Sequence, residues 1–181
     1  MKRSLQSGVL LAAIALLLVA ATPVHAAQNC YVKIEGVTQG WIRGDSTITS
    51  MDRAEHIEGF EYHHLMEVPS GGSRINHQTV ILTKPLDRAT PSLLRAMDLN
   101  EQLTVQIRFF RPDPGGSGAE QHYYTVLLEG ARLISIEPLQ GRTDMPDTSS
   151  LAVTERLRFS YGQITYTWES NGNEHRASSS P

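Results

Sequence analysis

Apolar and polar residues alternate with a period of two along most of the chain, which predicts a mainly β fold. In segment 101–110 the apolar positions are Leu103, Val105, Ile107 and Phe109, and the residues between them are mostly polar. Successive side chains of a strand point to opposite faces, so one face of such a segment packs while the other meets water. The same pattern occurs in segments 30–36, 56–68, 122–139 and 157–168, and segment 76–84 is a compact apolar strand.

Two of these segments change phase in the middle. In 157–168 the large apolar residues occupy odd positions up to Tyr161 and even positions from Ile164 onward. In 122–139 the phase changes near Glu129 and Gly130. Such a change indicates one inserted residue, as in a β-bulge, and bulges bend strands. Bent strands separated by Gly- and Pro-containing turns predict an antiparallel sandwich or barrel.

One short helix is predicted in segment 89–102, "ATPSLLRAMDLNEQ". Thr90 is the expected N-cap and Pro91 the first helical residue, which are favoured positions for both residue types. Helical spacing predicts an apolar face formed by Leu93, Leu94 and Met97, and the helix should end near residues 99–100.

Segment 56–68 is predicted to be a strand with one buried and one wet face. Its even positions, Phe60, Tyr62, His64 and Met66, suit the core, with His64 partly buried. Its odd positions, Glu61, His63 and Glu67, suit water, and Leu65 is the exception.

The first 26 residues have the pattern of a secretory signal peptide. Lys2 and Arg3 precede an apolar run at 8–21, and small residues at Val24 and Ala26 favour cleavage after Ala26. The alternative is an uncleaved membrane anchor, although the run is shorter than the roughly 20 residues that a spanning helix needs. We therefore expect an exported protein, periplasmic or extracellular, with no membrane contact after cleavage. One domain should span residues 27–170, followed by a flexible polar tail at 171–181.

Charge and cysteine content narrow the functional classes. The chain has 16 basic and 19 acidic residues, and removal of Lys2 and Arg3 leaves 14 against 19. This acidic balance without a basic stripe argues against nucleic acid as a partner. Cys30 is the only cysteine, so no internal disulfide is possible. We expect it to be a buried apolar residue near the start of the first strand, the alternative being an intermolecular disulfide.

No catalytic, cofactor-binding or metal-binding site is predicted. The chain has no G-x-S-x-G motif, and "DPGGSG" at 113–118 lacks the Gly-Lys of a phosphate-binding loop. His63 and His64 are adjacent on a predicted strand and so point to opposite faces. His64, His77 and His122 could converge on a metal across strands, but half-buried histidines without a metal are the more common case. The sequence therefore does not favour an enzyme.

Five segments together resemble the haemolysin-coregulated protein family, the tube protein of the type VI secretion system. They are "NCYVKIEGVTQG", "RINHQTVILTKPLDRATPSLLRAM", "EQLTVQIRFFR", "EQHYYTVLLEGARLISIEP" and "LRFSYGQITYTWE", in order over most of 29–169. The resemblance implies a β-barrel of two packed antiparallel sheets with one flanking helix. It also implies a homo-hexameric ring that can stack into a hollow tube, with secreted effectors and sheath or spike components as possible partners.

The resemblance also gives candidate contact residues. If a ring forms, Glu61 and His63 become candidates for facing its channel, whereas ordinary outer surface is the alternative. Segment 67–76 corresponds to a longer projecting loop of the family that contacts neighbouring subunits and rings. The ring or stack contact candidates in it are Glu67, Val68, Pro69, Ser70, Gly71, Gly72, Ser73 and Arg74. A different function also remains open, that of an exported soluble β-barrel that binds a small ligand or a metal.

Overall fold

Twelve strands and one helix make up the part of the chain that the computed structural model describes, residues 29–148 and 150–178. The predicted signal peptide, residues 1–26, lies outside the described residues. No helix in the described part is long and apolar enough to cross a membrane. The elements are β1 (Cys30–Gly36), β2 (Gly40–Ile42), β3 (Ile57–Gly59), β4 (Glu61–His63), β5 (Met66–Glu67), β6 (Asn76–His77), β7 (Val80–Pro85), α1 (Thr90–Asp98), β8 (Leu103–Pro112), β9 (Glu120–Leu139), β10 (Thr154–Ser160), β11 (Gln163–Trp168) and β12 (Asn173–Ser178).

The fold is mainly β with antiparallel pairing, as the alternation predicts. Ten strands form one hydrogen-bonded sheet whose main path is β2-β1-β8-β9-β10-β7-β4, and β5 and β6 form a separate two-stranded sheet. β3 pairs with β1 and β4 pairs with β7. Between β3 and β4 the Phe60 N–H donates to the Thr83 carbonyl at 2.8 Å, so segment 57–63 links β1 to β7.

The long strand β9 carries one of the two predicted bends, and the other lies between β10 and β11. The first half of β9 pairs with β8 and β11, and its second half pairs with β10. At the junction Gly130 has φ = 62°, and the Glu129 carbonyl accepts from the Gly162 N–H at 3.0 Å. The two phase changes in the sequence are therefore one bend that crosses neighbouring strands, and both predicted positions are confirmed.

The core is built from the alternating inward residues of these strands. Its fully buried members include Val32, Ile34, Leu82, Val105, Ile107, Val126, Leu128, Leu157, Phe159 and Ile164. Leu103 is also buried and Phe109 packs against the cluster, so the inward face predicted for 101–110 is confirmed. Cys30 is buried, its thiol donates to the Gly59 carbonyl at 3.5 Å, and burial raises its pKa to about 12. It is therefore the buried apolar residue that the sequence predicts.

The helix is present, but two details of its prediction are wrong. Its N-cap is Ala89 rather than Thr90, which is already the first helical residue and whose hydroxyl donates to Glu155 Oε1 at 3.0 Å. Leu93 is buried and Met97 packs against the core, but Leu94 is exposed and Ala96 takes the third inward position.

Segment 56–68 differs from the single strand that the alternation predicts. It is divided into β3, β4 and β5, with breaks at Phe60 and at 64–65. Tyr62 packs against the core and His64 is half-buried as predicted, whereas Phe60 and Met66 are exposed because the breaks turn them outward.

The polar C-terminal segment also differs from expectation. Residues 173–178, predicted as part of a flexible tail, form β12 and pair with β11 over its whole length. Most of their side chains are exposed and only Ala177 packs against the core. A polar edge strand of this kind has no apolar alternation by which to recognise it.

Candidate functional site

A small hairpin formed by β5 and β6 stands apart from the main sheet. It has two residue pairs, Met66 with His77 and Glu67 with Asn76. Its loop turns at Gly71, where φ is 81°, and the Gly72 N–H donates to the Pro69 carbonyl at 2.8 Å. Every contact candidate from Glu67 to Arg74 is exposed. The structure therefore collects these eight residues on one projecting element.

The hairpin exposes an unusual amount of apolar side chain. Leu65, Met66, Val68 and Ile75 are each between 46% and 57% exposed. Single exposed apolar residues are normal, but four within 11 positions are typical of a surface that another molecule covers. We call these four residues the apolar hairpin surface. Sequence reasoning identified the loop but assigned Met66 to the core and did not include Leu65 or Ile75 in such a surface.

His64 connects this hairpin to the main sheet. Its Nε2 atom lies 2.7 Å from the Tyr161 hydroxyl and 3.1 Å from the Gln78 carbonyl, and its Nδ1 atom lies 2.7 Å from the Tyr166 hydroxyl. A carbonyl only accepts, so Nε2 carries the hydrogen and Nδ1 accepts from Tyr166. We call His64, Gln78, Tyr161 and Tyr166 the histidine–tyrosine cluster. Its hydrogen bonds are satisfied when the imidazole is neutral.

The electrostatics of this cluster favour that neutral form. Burial lowers the pKa of His64 below 6.5, the Gln78 carbonyl partly offsets this shift, and His77 and His63 lower the pKa further. Burial raises the pKa of Tyr161 to about 12 and also raises the pKa of Tyr166. Both hydroxyls therefore stay protonated, and the cluster carries no charge at neutral pH.

A second anchor, made of charged groups, fixes the helix. The buried Lys84 Nζ lies 2.7 Å from both Asp87 Oδ1 and Glu155 Oε1, and it donates to the Pro85 carbonyl at 2.8 Å. Thr90 at the start of α1 joins through Glu155, and the Ala89 N–H donates to Asp87 at 2.9 Å. We call these contacts the buried ion cluster, and they account for the buried lysine that precedes the helix in the sequence.

The predicted channel residues Glu61 and His63 lie on an exposed face that is mostly polar. Both are exposed on β4, opposite Thr83 and Ile81 of β7, and the Thr83 hydroxyl donates to Glu61 at 2.9 Å. The next strand, β10, adds Arg156 and Arg158, and side chains of directly paired residues share a face. The face suits contact with water, as the sequence predicts.

The sheet has a second polar face that sequence reasoning did not consider for a channel. It crosses five strands, because paired residues share a face. One row of it consists of Lys33, Gln106, Leu127, Thr165 and Arg176. Segment 43–56 partly covers a neighbouring row. Its buried Arg53 places Cζ 4.4 Å from the ring centroid of Phe110 and 4.9 Å from that of Tyr31.

The histidines do not form the metal site that remained open from the sequence. The rings of His64 and His77 stack with centroids 5.8 Å apart, whereas His122 stacks on Phe110. His122 also lies 2.9 Å from the Thr125 hydroxyl, which donates to Glu169 at 2.5 Å. In residues 29–148 and 150–178, no group of three His, Cys, Asp or Glu side chains is placed to hold a metal ion.

Comparison with known proteins gives one consistent family. The family profile described as "Type VI secretion system effector, Hcp" matches residues 31–168. The chain is 31% identical over 161 residues to the "Major exported protein" of Pseudomonas aeruginosa strain PAO1, covering 81% of this chain and 92% of that protein.

Solved structures agree with this match. A crystal structure of an Hcp protein superposes with a TM-score of 0.75 at 25% identity, covering 86% of this chain and 99% of that one. The secreted protein Hcp3 from Pseudomonas aeruginosa superposes with a TM-score of 0.70 at 25% identity, covering 86% and 100%.

Proposed function

This chain belongs to the Hcp family of the type VI secretion system, and from that membership we propose that it is a structural tube component that forms a homo-hexameric ring. Hcp is a family of structural secretion proteins, so the chain is not proposed to be an enzyme. The observation that carries the assembly is the apolar hairpin surface, because it exposes large side chains that a neighbouring copy would cover.

The subunit is proposed to be a β-barrel of two packed sheets. Segment 57–63 supports this, since β3 pairs with β1 near one end of the strand path and β4 is itself the other end, paired with β7. The bend at Gly130 lets β9 contribute to both sheets.

Head-to-tail contacts would close the ring. A cyclic ring needs two different complementary surfaces on each copy. Among the described residues, β2 pairs only with β1 and β12 pairs only with β11, so each has one unpaired edge. These edges, the hairpin loop from Glu67 to Arg74, or both would contact neighbouring copies and neighbouring rings. Secreted effectors and sheath or spike components are the further partners proposed.

Light scattering across a concentration series tests the ring. The mature chain at micromolar concentration and moderate salt should have six times the mass of one chain. A monomer under these conditions would contradict the ring.

Cysteine labelling tests which face lines the channel. We propose that Glu61 and His63 face the channel. In the experiment each is replaced by Cys in a Cys30→Ser background. Thr104→Cys, on the second polar face, is the matched comparison because it is also exposed. In an assembled tube a channel position should react with a small maleimide and resist a bulky one. If both reagents react equally at positions 61 and 63, these positions lie outside the channel. If only position 104 resists the bulky maleimide, the second polar face lines the channel instead.

Export through residues 1–26 is a separate proposal. The related Pseudomonas protein is described as exported, which supports secretion of this chain but not its route. Mass spectrometry of the protein recovered outside the cytoplasm should give an N-terminus at Ala27. Recovery with Met1 retained would contradict cleavage.

The alternative of a ligand- or metal-binding module has less support. The cleft of about 290 Å³ beside Trp41 is lined by Arg43 and Arg88, but both arginines already pair with Glu55. Elemental analysis after dialysis tests the metal version, because retained stoichiometric zinc or iron would favour it.

A further inference from the structure

Met66 belongs to the apolar hairpin surface and also contacts the main sheet. Its side chain is 46% exposed, yet its Sδ atom lies 3.1 Å from the Tyr166 hydroxyl oxygen. Met51 and Met145 are similarly exposed, at 42% and 47%, but in the described part of the chain neither sulfur has a hydrogen-bond partner. Met66 therefore combines access to solvent with a defined orientation of its sulfur.

We propose that Met66 is a peroxide-sensitive modification site, at which oxidation of the thioether to the sulfoxide places an oxygen on the apolar hairpin surface and weakens association of copies. The effect on association rests on the proposed function, whereas the direction in which the oxygen points is a property of one subunit. The proposed export would also take the chain out of the reducing cytosol.

The reaction needs only the thioether and the oxidant, hydrogen peroxide or an organic hydroperoxide. A lone pair of the sulfur attacks the terminal peroxide oxygen, so that an S–O bond forms while the O–O bond breaks. The proton on the transferred oxygen moves to the departing hydroxide or alkoxide, which leaves as water or an alcohol. The sulfur loses two electrons and the peroxide gains them. The product, methionine sulfoxide, is polar and chiral, and reductases can return it to the thioether.

Tyr166 leaves one side of the Met66 sulfur open to this attack. The 3.1 Å between the hydroxyl oxygen and Sδ leaves no room for a peroxide oxygen between them. The same hydroxyl lies 2.7 Å from His64 Nδ1, and the two rings stack, so Tyr166 is held in place from the sheet side. This crowding is the same whether the Tyr166 hydrogen points to the nitrogen or to the sulfur. A peroxide therefore reaches only the lone pair that faces away from the sheet.

The new oxygen consequently points to solvent, on the surface proposed to contact a neighbouring copy. Leu65 precedes Met66, and Val68 and Ile75 lie on the same hairpin, all of them exposed. A polar oxygen that is covered by apolar side chains without a donor costs free energy. Because the contact with Tyr166 lies on the other side of the sulfur, oxidation should weaken association and leave the hairpin in place.

Sedimentation velocity of the full mature protein tests the effect on association. Dilute, unassembled protein is treated with hydrogen peroxide, freed of the oxidant and then concentrated. Association should weaken about tenfold or more, the usual consequence of one covered polar group without a partner. Methionine sulfoxide reductases with a thiol reductant should restore it. Rings assembled before the treatment should protect Met66 but not Met145, which peptide mass spectrometry measures.

Matched variants assign the effect to Met66. Met66→Leu keeps the volume and the apolar character of the side chain, so it should associate like the wild type and resist peroxide. Met51→Leu and Met145→Leu remove the other two exposed thioethers and should remain sensitive. Equal loss of association in peroxide-treated Met66→Leu and wild type would overturn the proposal.

The stereochemistry of the product tests the direction of attack. Addition at one lone pair gives one sulfoxide epimer, and each epimer is reduced by a different reductase. One of the two enzymes should therefore reduce most of the sulfoxide at Met66, whereas Met145 should need both. Tyr166→Phe lacks the blocking oxygen and should lose this preference. Equal amounts of the two epimers at Met66 in the wild type, or an unchanged preference in Tyr166→Phe, would contradict the proposed geometry.

The same measurements separate the modification from the proposed function. If unoxidised copies stay monomeric at every concentration, the ring is wrong and its control through Met66 is wrong with it. If rings form and the fully oxidised Met66 protein associates as tightly as the untreated protein, the modification has no such role and the ring stands.

Discussion

Two anchors in this molecule hold secondary elements to the same sheet by opposite means. The buried ion cluster fixes α1 with an ammonium and two carboxylates, all away from water. The histidine–tyrosine cluster fixes the hairpin with neutral groups that are only partly buried. The helix anchor depends on ion pairs, whereas the hairpin anchor depends on an imidazole, the side chain whose charge can change near neutral pH. We therefore call the hairpin anchor the conditional anchor.

The helix anchor should give the largest effect when it is broken. Lys84→Met leaves Asp87 and Glu155 buried without their cation, and one oxygen of Glu155 already lacks a partner. We expect a loss of about 3–5 kcal/mol in the free energy of unfolding, the usual cost of an uncompensated buried charge. Chemical denaturation measures it.

Lys33→Met is the matched control for this prediction. Lys33 also pairs with a carboxylate, Glu35, but the two side chains are 37% and 50% exposed, so the change should be within about 1 kcal/mol. Equal losses in the two variants would mean that burial does not distinguish the anchors.

The bend between the two anchors should give the next largest effect. Glu155 lies on β10 and Tyr166 on β11, on either side of the bend at Gly130 and Gly162. Gly130→Ala places a side chain on a residue with φ = 62°, which should cost about 1–2 kcal/mol, although its Cβ would meet no atom nearer than Gln102 Nε2 at 3.4 Å. Thermal unfolding of the variant measures this cost.

Gly162→Ala is the control on the opposite strand. Gly162 does not have a positive φ, and its Cβ would meet the Glu129 carbonyl at an ordinary 3.6 Å. A cost as large as that of Gly130→Ala would show that packing, rather than backbone conformation, determines the bend.

The sequence predicted the features that follow from the two-residue alternation of apolar and polar side chains in strands. Alternation gave the inward residues of β8, and its phase changes located the bend at Gly130 and Gly162. It failed at Thr90, which is the first residue of the helix and not its cap, and whose hydroxyl donates to Glu155 on a distant strand. It also failed for β12, whose polar residues follow no apolar period, and for the break at Phe60.

The candidate site was harder to predict than the fold. The resemblance located the loop from Glu67 to Arg74, but the apolar hairpin surface depends on strand breaks that the alternation does not show. The histidine–tyrosine cluster joins residues about 100 positions apart, 64 and 166, and no local pattern indicates their contact.

Acidification should affect the conditional anchor by a smaller amount. Because the pKa of His64 is lowered in the folded protein, its contribution to stability is present above pH 6.5 and is lost as the pH falls through the folded-state value. The stability difference between wild type and His64→Gln should therefore shrink on acidification by no more than about 1 kcal/mol, since His64 is partly hydrated. Urea titrations across this range measure it, and a difference that grows toward low pH would contradict the lowered pKa.

The smallest effect on stability is expected in the hairpin that the conditional anchor holds, at its exposed apolar side chains. Val68→Ser and Ile75→Ser should change the free energy of unfolding by about 0.5 kcal/mol or less, because both side chains are already exposed in the single chain.

The same variants should weaken association of copies, because a covered apolar side chain contributes about 1.5–3 kcal/mol when fully buried. Val37→Ser is the matched control, since Val37 is 79% exposed but lies on the turn after β1, away from the hairpin. Sedimentation velocity compares the three. Weaker association only in the two hairpin variants would mean that the apolar residues serve contact between copies, whereas an equal loss in Val37→Ser would mean that any exposed apolar residue contributes and that the hairpin is not the specific contact.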